Sequence, residues 1–403
     1  MNSPVRAGDT AHGPERSRFS RMASDPKIRG LVAQAIVGTL IVLAGYYLVS
    51  QTIYNMEKRG LTAGFDFLSS TAGFSIGFHL IDYQPTDTFG RVFLVGVVNT
   101  LFVSVIAIIF ATLFGFIMGI ARLSHNWLIA RLAASYVEIV RNTPLLLQIF
   151  VWYLGVFTLL PPPKQAFELV FGVFVLNNRG FYATAAVPGE LFWITGIAII
   201  AGLALTFMFR RAARAQREAT GDAPSYAWKA LAVLVAAPAA VFVLTGAPLT
   251  WEVPTLKGFN YQGGWAVPPP FLALLIALTV YTSAFIAEIV RAGIQSVGKG
   301  QTEAALSLGL PRSRTLKLVV IPQAMRAIIP PLISQYLNIV KNSSLAVAIA
   351  YPDLVGLWMQ TSLNQAGRAI EIVATTMLFY MVVSLSISGL LNIYNRRVQL
   401  QER

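Results

Sequence analysis

The stretch Gly293-Ile-Gln-Ser-Val-Gly298-Lys299 has the G-x-x-x-x-G-K spacing of a loop whose backbone amides wrap phosphates. That chemistry also needs a Ser or Thr after the lysine to hold Mg²⁺, and a strand leading in. Here Gly300 follows Lys299, and upstream runs the apolar stretch Phe271 to Val290, the length of a membrane-spanning helix. Nucleotide binding by this loop is therefore rejected, and Lys299 reads as a solvated loop charge. Other covalent or metal chemistry fares no better. The chain has no cysteine, and its three histidines, His12, His79 and His125, are scattered. No set of His, Cys or paired carboxylates gathers at one membrane depth, so no catalytic residue, metal site or cofactor is expected in this chain.

The polar side chains of interest sit inside apolar runs, where they are costly in lipid and usually face a bundle interior or pathway. The run 327–350 carries Asn338, Lys341, Asn342, Ser343 and Ser344. Lys341 lies about 21 Å along such a helix from Ala327, at about 1.5 Å per residue. It has three readings: attracting a substrate carboxylate, snorkelling to the outer interface, or pairing with Glu371. Thr143 and Gln148 are further candidates, and hydrogen bonding between helices explains them equally well.

The elements that position these residues follow from composition. The 403 residues are 55% hydrophobic and 12% charged, with mean hydropathy +0.62, too apolar for an ordinary soluble protein. Apolar runs of spanning length lie near 31–49, 92–120, 142–160, 191–209, 229–246, 270–290, 327–350 and 370–391. The reading is an all-α integral membrane protein of about eight transmembrane helices, with both termini on one side. The first run is too long for a signal peptide and lacks a small-x-small cleavage site, so it is expected to be retained. With the N-terminus inside, twenty-three of the 31 Lys and Arg residues fall in the cytoplasm and eight do not. The net charge of +13 is thus a positive-inside bias rather than a nucleic-acid surface.

Outside the membrane, Asn177-Asn178-Arg179-Gly180 separates two β-prone runs and predicts a hairpin. Trp251 to Pro270, rich in Gly, Pro and aromatics, predicts an ordered loop, either a docking surface or a lid. The tetrapeptide Glu-Ile-Val-Arg occurs at Glu138–Arg141 and Glu288–Arg291. Each Glu and Arg stand three apart on a helix and can pair as interfacial anchors.

The opening stretch belongs to a cytoplasmic loop over 291–326. Gln301 to Leu308 predicts a helix with Ala304, Ala305 and Leu308 as a small apolar stripe. Gly309 occupies a C-cap position suited to a left-handed turn, and Pro311 a first-turn position. Arg312 to Val320 predicts a second helix bounded by Pro322.

Glu303-Ala304-Ala305, three residues, Gly309, nine residues, then Val319-Val320-Ile321-Pro322 resembles the EAA loop of ABC-importer permeases, E-A-A-x₃-G-x₉-I-x-L-P. Val319 replaces Ile and Ile321 replaces Leu. Tyr136 to Phe150 is similar to the Arg-x-Thr-Pro-Leu-Leu stretch of polar amino-acid permeases. Leu337 to Ile349 is similar to the Lys-Asp-Thr-Ser-Leu stretch of that family, with Asn342 in place of Asp. The extra first helix and the pair at 191–246 look like the larger permeases of general L-amino acid importers.

The resemblance implies a type I importer core of five helices, covering about 92–158 and 270–391. Residues 1–91 would supply a basic tail, an extra helix and an extracytoplasmic segment. Residues 159–269 would supply extracytoplasmic loops with the inserted helix pair, and 392–403 a cytoplasmic tail. It also implies an ATPase dimer that binds ATP and Mg on separate chains, a second permease (a heterodimer) and a periplasmic amino-acid-binding protein, in a bacterial inner membrane. Glu303, Ala304, Ala305, Gly309 and Pro311 would form the ATPase-coupling face, with Glu303 pairing to a basic residue there. Without the carboxylate at position 342, broad or neutral-to-acidic substrates fit better than strictly cationic ones. An ion-coupled secondary amino-acid transporter is the alternative, though it has no use for such a loop.

Overall fold

The computed structural model describes residues 26–58, 64–221 and 227–398. The basic residues Arg6, Arg16, Arg18, Arg21, Arg59 and Arg403 lie outside these. The chain divides into two compact units, residues 1–67 with 368–371, and 68–367 with 372–403.

In the first unit, helix α1 (Pro26–Lys58) is exposed on every described side, including Leu31, Ile36, Leu40 and Tyr46. A helix apolar all round and bare of protein has lipid as its natural solvent. After it, the backbone N–H of Gly64 donates to Glu371 Oε1 at 2.7 Å.

The second unit is built on α2 (Phe89–Ala121) and α8 (Pro269–Gln295). Between them come α3 (Trp127–Asn142), α4 (Leu145–Phe150, widened to a π-turn over Val151–Phe157) and α5 (Phe192–Thr220). Next are α6 (Ala227–Leu231), a π-turn, and α7 (Ala237–Leu244). Beyond α8 lie α9 (Lys299–Ser307), α10 (Arg312–Thr315), α11 (Ile321–Asn342), α12 (Leu363–Ala366) and α13 (Ala369–Val398), the last shared between the units.

Among the described residues, six helices are long and apolar enough to cross a membrane, Arg29–Asn55, Phe89–Ala121, Phe192–Thr220, Pro269–Gln295, Arg312–Ile349 and Ala369–Leu390. The run expected at 142–160 belongs to a bent pair, α3 and the helix continuing from α4, which meet at 104° and count as a seventh if taken as one span. Pro144 explains the bend: it forces Thr143 out of the helical region, to φ −99° and ψ 124°. The run at 229–246 forms a shorter apolar helix, Trp228–Leu244.

The core seam is small residues on α2. Val103, Ala107, Ala111, Gly115 and Gly119 recur every fourth position and are all buried. That spacing lets two helix backbones approach closely in lipid, where dispersion rather than water exclusion holds them together. A Cβ added at Gly115 would lie 2.6 Å from Ile286 Cβ, and one at Gly119 2.7 Å from Val290 Cβ.

Short strands fill the loops between the helices. The predicted hairpin is present: β2 (Phe174–Asn177) pairs antiparallel with β3 (Gly180–Ala183), with Asn177 opposite Gly180. It joins β1 (Phe167–Leu169) and β8 (Trp265–Val267) in a four-stranded sheet. The Trp251–Pro270 segment is ordered, as its composition implies. It supplies part of β5 (Leu249–Glu252), β6 (Thr255–Lys257), β7 (Asn260–Gln262) and β8.

Pro322 does not end the second loop helix, as its position predicts. The helix runs from Arg312 through it into α11, by way of a π-turn over Leu316–Val320. There the N–H of Ile321 reaches back five residues to the carbonyl of Leu316. The widened turn removes the usual requirement for an N–H at Pro322 and makes room for its ring.

Candidate coupling loop and translocation residues

Between α8 and α11 the loop folds as helix, left-handed glycine and helix. The carbonyls at the end of α9 are satisfied in order, Ala304 by Leu308 N–H (3.1 Å), Leu306 by Gly309 N–H (2.9 Å) and Ala305 by Leu310 N–H (3.2 Å). Gly309 has φ +78°, the left-handed conformation its place predicts. Pro311 stands one position earlier than expected, as the N-cap of α10. A Gln323 to Gln301 side-chain hydrogen bond (3.2 Å) ties the two arms together.

The expected apolar stripe divides. Ala305 is buried where α9 meets the 316–320 turn, whereas Ala304 is exposed and Leu308 is 82% exposed. Glu303 is exposed, and its backbone carbonyl accepts from Ser307 Oγ at 2.9 Å. The outward surface therefore carries a carboxylate, a methyl and a bare leucine, beside the exposed cations Arg312, Arg314 and Lys317.

Where the loop joins α8, Glu288 receives hydrogen bonds from both Arg291 and Arg122. The Glu288–Arg291 pairing was legible from its spacing, but Arg122, at the end of α2, was not. At the other copy, Arg141 lies 5.2 Å over the ring of Phe285. Among the described residues no Glu138–Arg141 ion pair forms.

The candidate pathway residues do not form one cluster. Lys341 and Ser344 come together with Val355, Met359, Thr376 and Tyr380 around a cavity of about 440 Å³. Asn338 and Lys341 are exposed on one face of α11, with Asn342 half-buried. Ser343 is buried and donates to the carbonyl of Val340, and Ser344 to that of Lys341, both at 2.7 Å. These bonds accompany the tightening of the helix to 3₁₀ over Ser343–Ile349. Thr143 and Gln148 are occupied at the bend. Gln148 Nε2 donates to the carbonyls of Val140 (3.0 Å) and Thr143 (3.1 Å), and Thr143 Oγ1 to that of Ile139 (2.8 Å).

One buried polar knot escaped the sequence reading. Asn99 Nδ2 donates to the carbonyls of Phe78 (3.1 Å) and Pro352 (2.8 Å), and Tyr351 Oη donates to Asn99 O (3.0 Å). Beside them Asp353 is fully buried, with Oδ1 accepting from Gly356 N–H at 2.8 Å and Oδ2 without a partner. The available signal was an asparagine inside an apolar run and an Asp between two such runs. Above the knot opens a cavity of about 410 Å³, bordered by Ser75, Pro270, Tyr351, Gln360 and Thr361.

Burial pushes the Asp353 carboxyl up to about 7. An unfolded aspartate ionises near 3.9, so the folded chain holds an extra proton between these values. That contribution is complete at low pH and is lost as pH rises through the folded value. The melting temperature of the solubilised chain should therefore fall between pH 5 and pH 8, and Asp353→Asn should flatten that fall. An unchanged slope in the variant would remove Asp353 as its source.

Comparison with known proteins places this architecture. Residues 223–400 match the family described as "Binding-protein-dependent transport system inner membrane component". The putative amino-acid ABC transporter permease protein YhdX of Escherichia coli is 50% identical over 397 residues, covering 98% of this chain and 100% of that protein. The general L-amino acid transport system permease protein AapQ of Rhizobium johnstonii is 45% identical, covering 97% of each. The glutamate/glutamine/aspartate/asparagine transport system permease protein BztB of Rhodobacter capsulatus is 40% identical, covering 96% of this chain and 97% of that one. The chain belongs to the family of inner-membrane permease components of binding-protein-dependent ABC transport systems.

Proposed function

We propose that this chain forms half of the translocation pathway of an ATP-driven importer of L-amino acids, and that the 291–326 loop couples it to a separate ATPase dimer. The observation that carries the reading is the loop itself, a folded helix–Gly309–helix that turns Glu303, Ala304 and Leu308 outward. ATP and Mg²⁺ would be held by the ATPase chains. A second, related permease would complete the pathway, and a periplasmic amino-acid-binding protein would deliver substrate to the ordered loops that carry β1–β3 and β5–β8. Both termini would lie in the cytoplasm. The alternation between inward-open and outward-open states would be a rigid-body change driven by closure of the ATPase dimer.

Tagging the chain in its native membrane, solubilising it gently and identifying what co-purifies tests this. An ATPase and a second permease in fixed ratio are expected, with uptake abolished by vanadate. A chain that emerges alone, with uptake abolished by collapse of the ion gradient instead, would point to the ion-coupled alternative.

Asn342 bears on substrate range. Its relatives include transporters named for general L-amino acids and for acidic and amide substrates, which fits a site without a fixed carboxylate. Asn342→Asp is expected to raise arginine uptake relative to glutamate by about tenfold, the effect of about 1.4 kcal/mol of added attraction and repulsion. An unchanged ranking of arginine, glutamate and leucine would remove this position from the pathway.

A further inference from the structure

The inserted helices α5 to α7 have no part in the coupling loop or the polar knot, yet they carry a dense group of cations. Arg210, Arg211, Arg214 and Arg217 lie on the last third of α5, and all four are exposed. Among the described residues none of them forms an ion pair. Glu218 is the one carboxylate between residues 210 and 221.

The cations continue an apolar face. Leu203, Phe207, Arg210, Arg214 and Arg217 are spaced four, three, four and three apart, which keeps them on one side of the helix. Leu203 is 54% exposed and Phe207 66%. From Phe192 to Phe209 a helix rises about 27 Å, close to the roughly 30 Å of hydrocarbon. The next eight residues, to Arg217, add about 12 Å, enough to cross the headgroup layer.

The neighbouring helix fixes the same depth independently. Thr206 Oγ1 donates to the carbonyl of Ala230, and Gly202 abuts the carbonyl of Val233. The two segments therefore run antiparallel, and Trp228 stands level with Met208. Trp228 is 71% exposed, and at the other end of α5 Trp193 is 62% exposed. Exposed tryptophans at both ends mark the two membrane–water boundaries.

We infer that the 210–217 end of α5 is a binding site for the headgroups of anionic phospholipids, with the four guanidinium groups taking the phosphate oxygens. Arginine suits this task because its planar fork pairs two donors with one phosphate. Charge complementarity selects an anionic lipid, and the apolar column above it places the acyl chains along Leu203 and Phe207. The inference rests on placement in a membrane and not on the transport reading.

The test uses the complex as purified, in nanodiscs of phosphatidylcholine with a minor share of phosphatidylglycerol carrying a photo-reactive group. Cross-links are expected within residues 207–221 of the unaltered chain. A neutral photo-reactive lipid should label this segment several-fold less. Replacing all four arginines by Gln should lower labelling by roughly tenfold, and replacing them by Lys should retain most of it. Equal labelling by the neutral lipid would overturn the inference, as would labelling unchanged in the Gln variant. Displacement by excess inorganic phosphate with the bilayer intact would assign the site to a free anion. Absence of labelling in the unaltered complex would mean that a protein partner covers it.

Discussion

Gly119→Val is expected to leave little folded chain in the membrane fraction. A Cβ at this position would stand 2.7 Å from Val290 Cβ and 2.8 Å from the carbonyl oxygen of Ala287. Neither neighbour can yield by a side-chain rotation, because one contact is backbone and the other is the branch point of a β-branched residue. Relief requires α2 and α8 to separate along a seam that also carries Gly115, Ala111 and Ala107. Overpacking a well-filled core costs about 1–3 kcal/mol, and the loss of neighbouring contacts adds to it. Against a net stability of about 5–15 kcal/mol, that is enough to lower both yield and melting temperature. Gly196→Ala is the control, since a Cβ there meets nothing within 4 Å; it should be neutral or slightly stabilising. The measurement is the amount of chain extracted from membranes, followed by its thermal unfolding. Equal yields for Gly119→Val and Gly196→Ala would refute the close-packed seam.

The second large effect is expected at Glu303, and it should be functional rather than structural. The side chain is exposed, and the residue's backbone carbonyl accepts a hydrogen bond from Ser307 Oγ. Glu303→Lys should therefore leave yield and melting temperature unchanged. Under the coupling reading it should reduce amino-acid uptake by at least about tenfold, because a carboxylate facing a basic group is replaced by a like charge. Co-purification of the ATPase should weaken in parallel. Glu303→Gln should fall between the two, and normal uptake in the Lys variant would sink the coupling role of this residue.

Local chemistry in the chain was enough for several elements. The turn at Asn178-Arg179, the left-handed bend at Gly309 and the bounds of most apolar helices depend on a few adjacent residues. What was not legible depends on residues far apart. Nothing near Pro322 announces that a π-turn will carry a helix through it. The outward face of α9 is decided by the 316–320 turn, which buries Ala305 and leaves Ala304 free. Arg122 was visible only as a cytoplasmic charge until α2 and α8 brought it to Glu288. The knot that ties Asn99 to Tyr351 and Pro352 likewise joins positions more than 250 residues apart. Of the candidate pathway residues, the sequence located the polar stretch 338–344. It did not indicate that Lys341 and Ser344 would share a cavity with Tyr380.

The glycine seam between α2 and α8 has a mechanical corollary. Side chains act as cushions between helices, and the α2 side of this seam offers only small ones against Ile286 and Val290, so the pair has little compliance. Helix α8 is a strut about 40 Å long, joined at Gln295 to the loop by only Ser296, Val297 and Gly298. Its opposite end, at Pro270, is a wall of the 410 Å³ cavity above the polar knot. Under the proposed coupling role, a thrust on the loop would pass along this strut, and tilting it at one surface would alter the volume enclosed at the other.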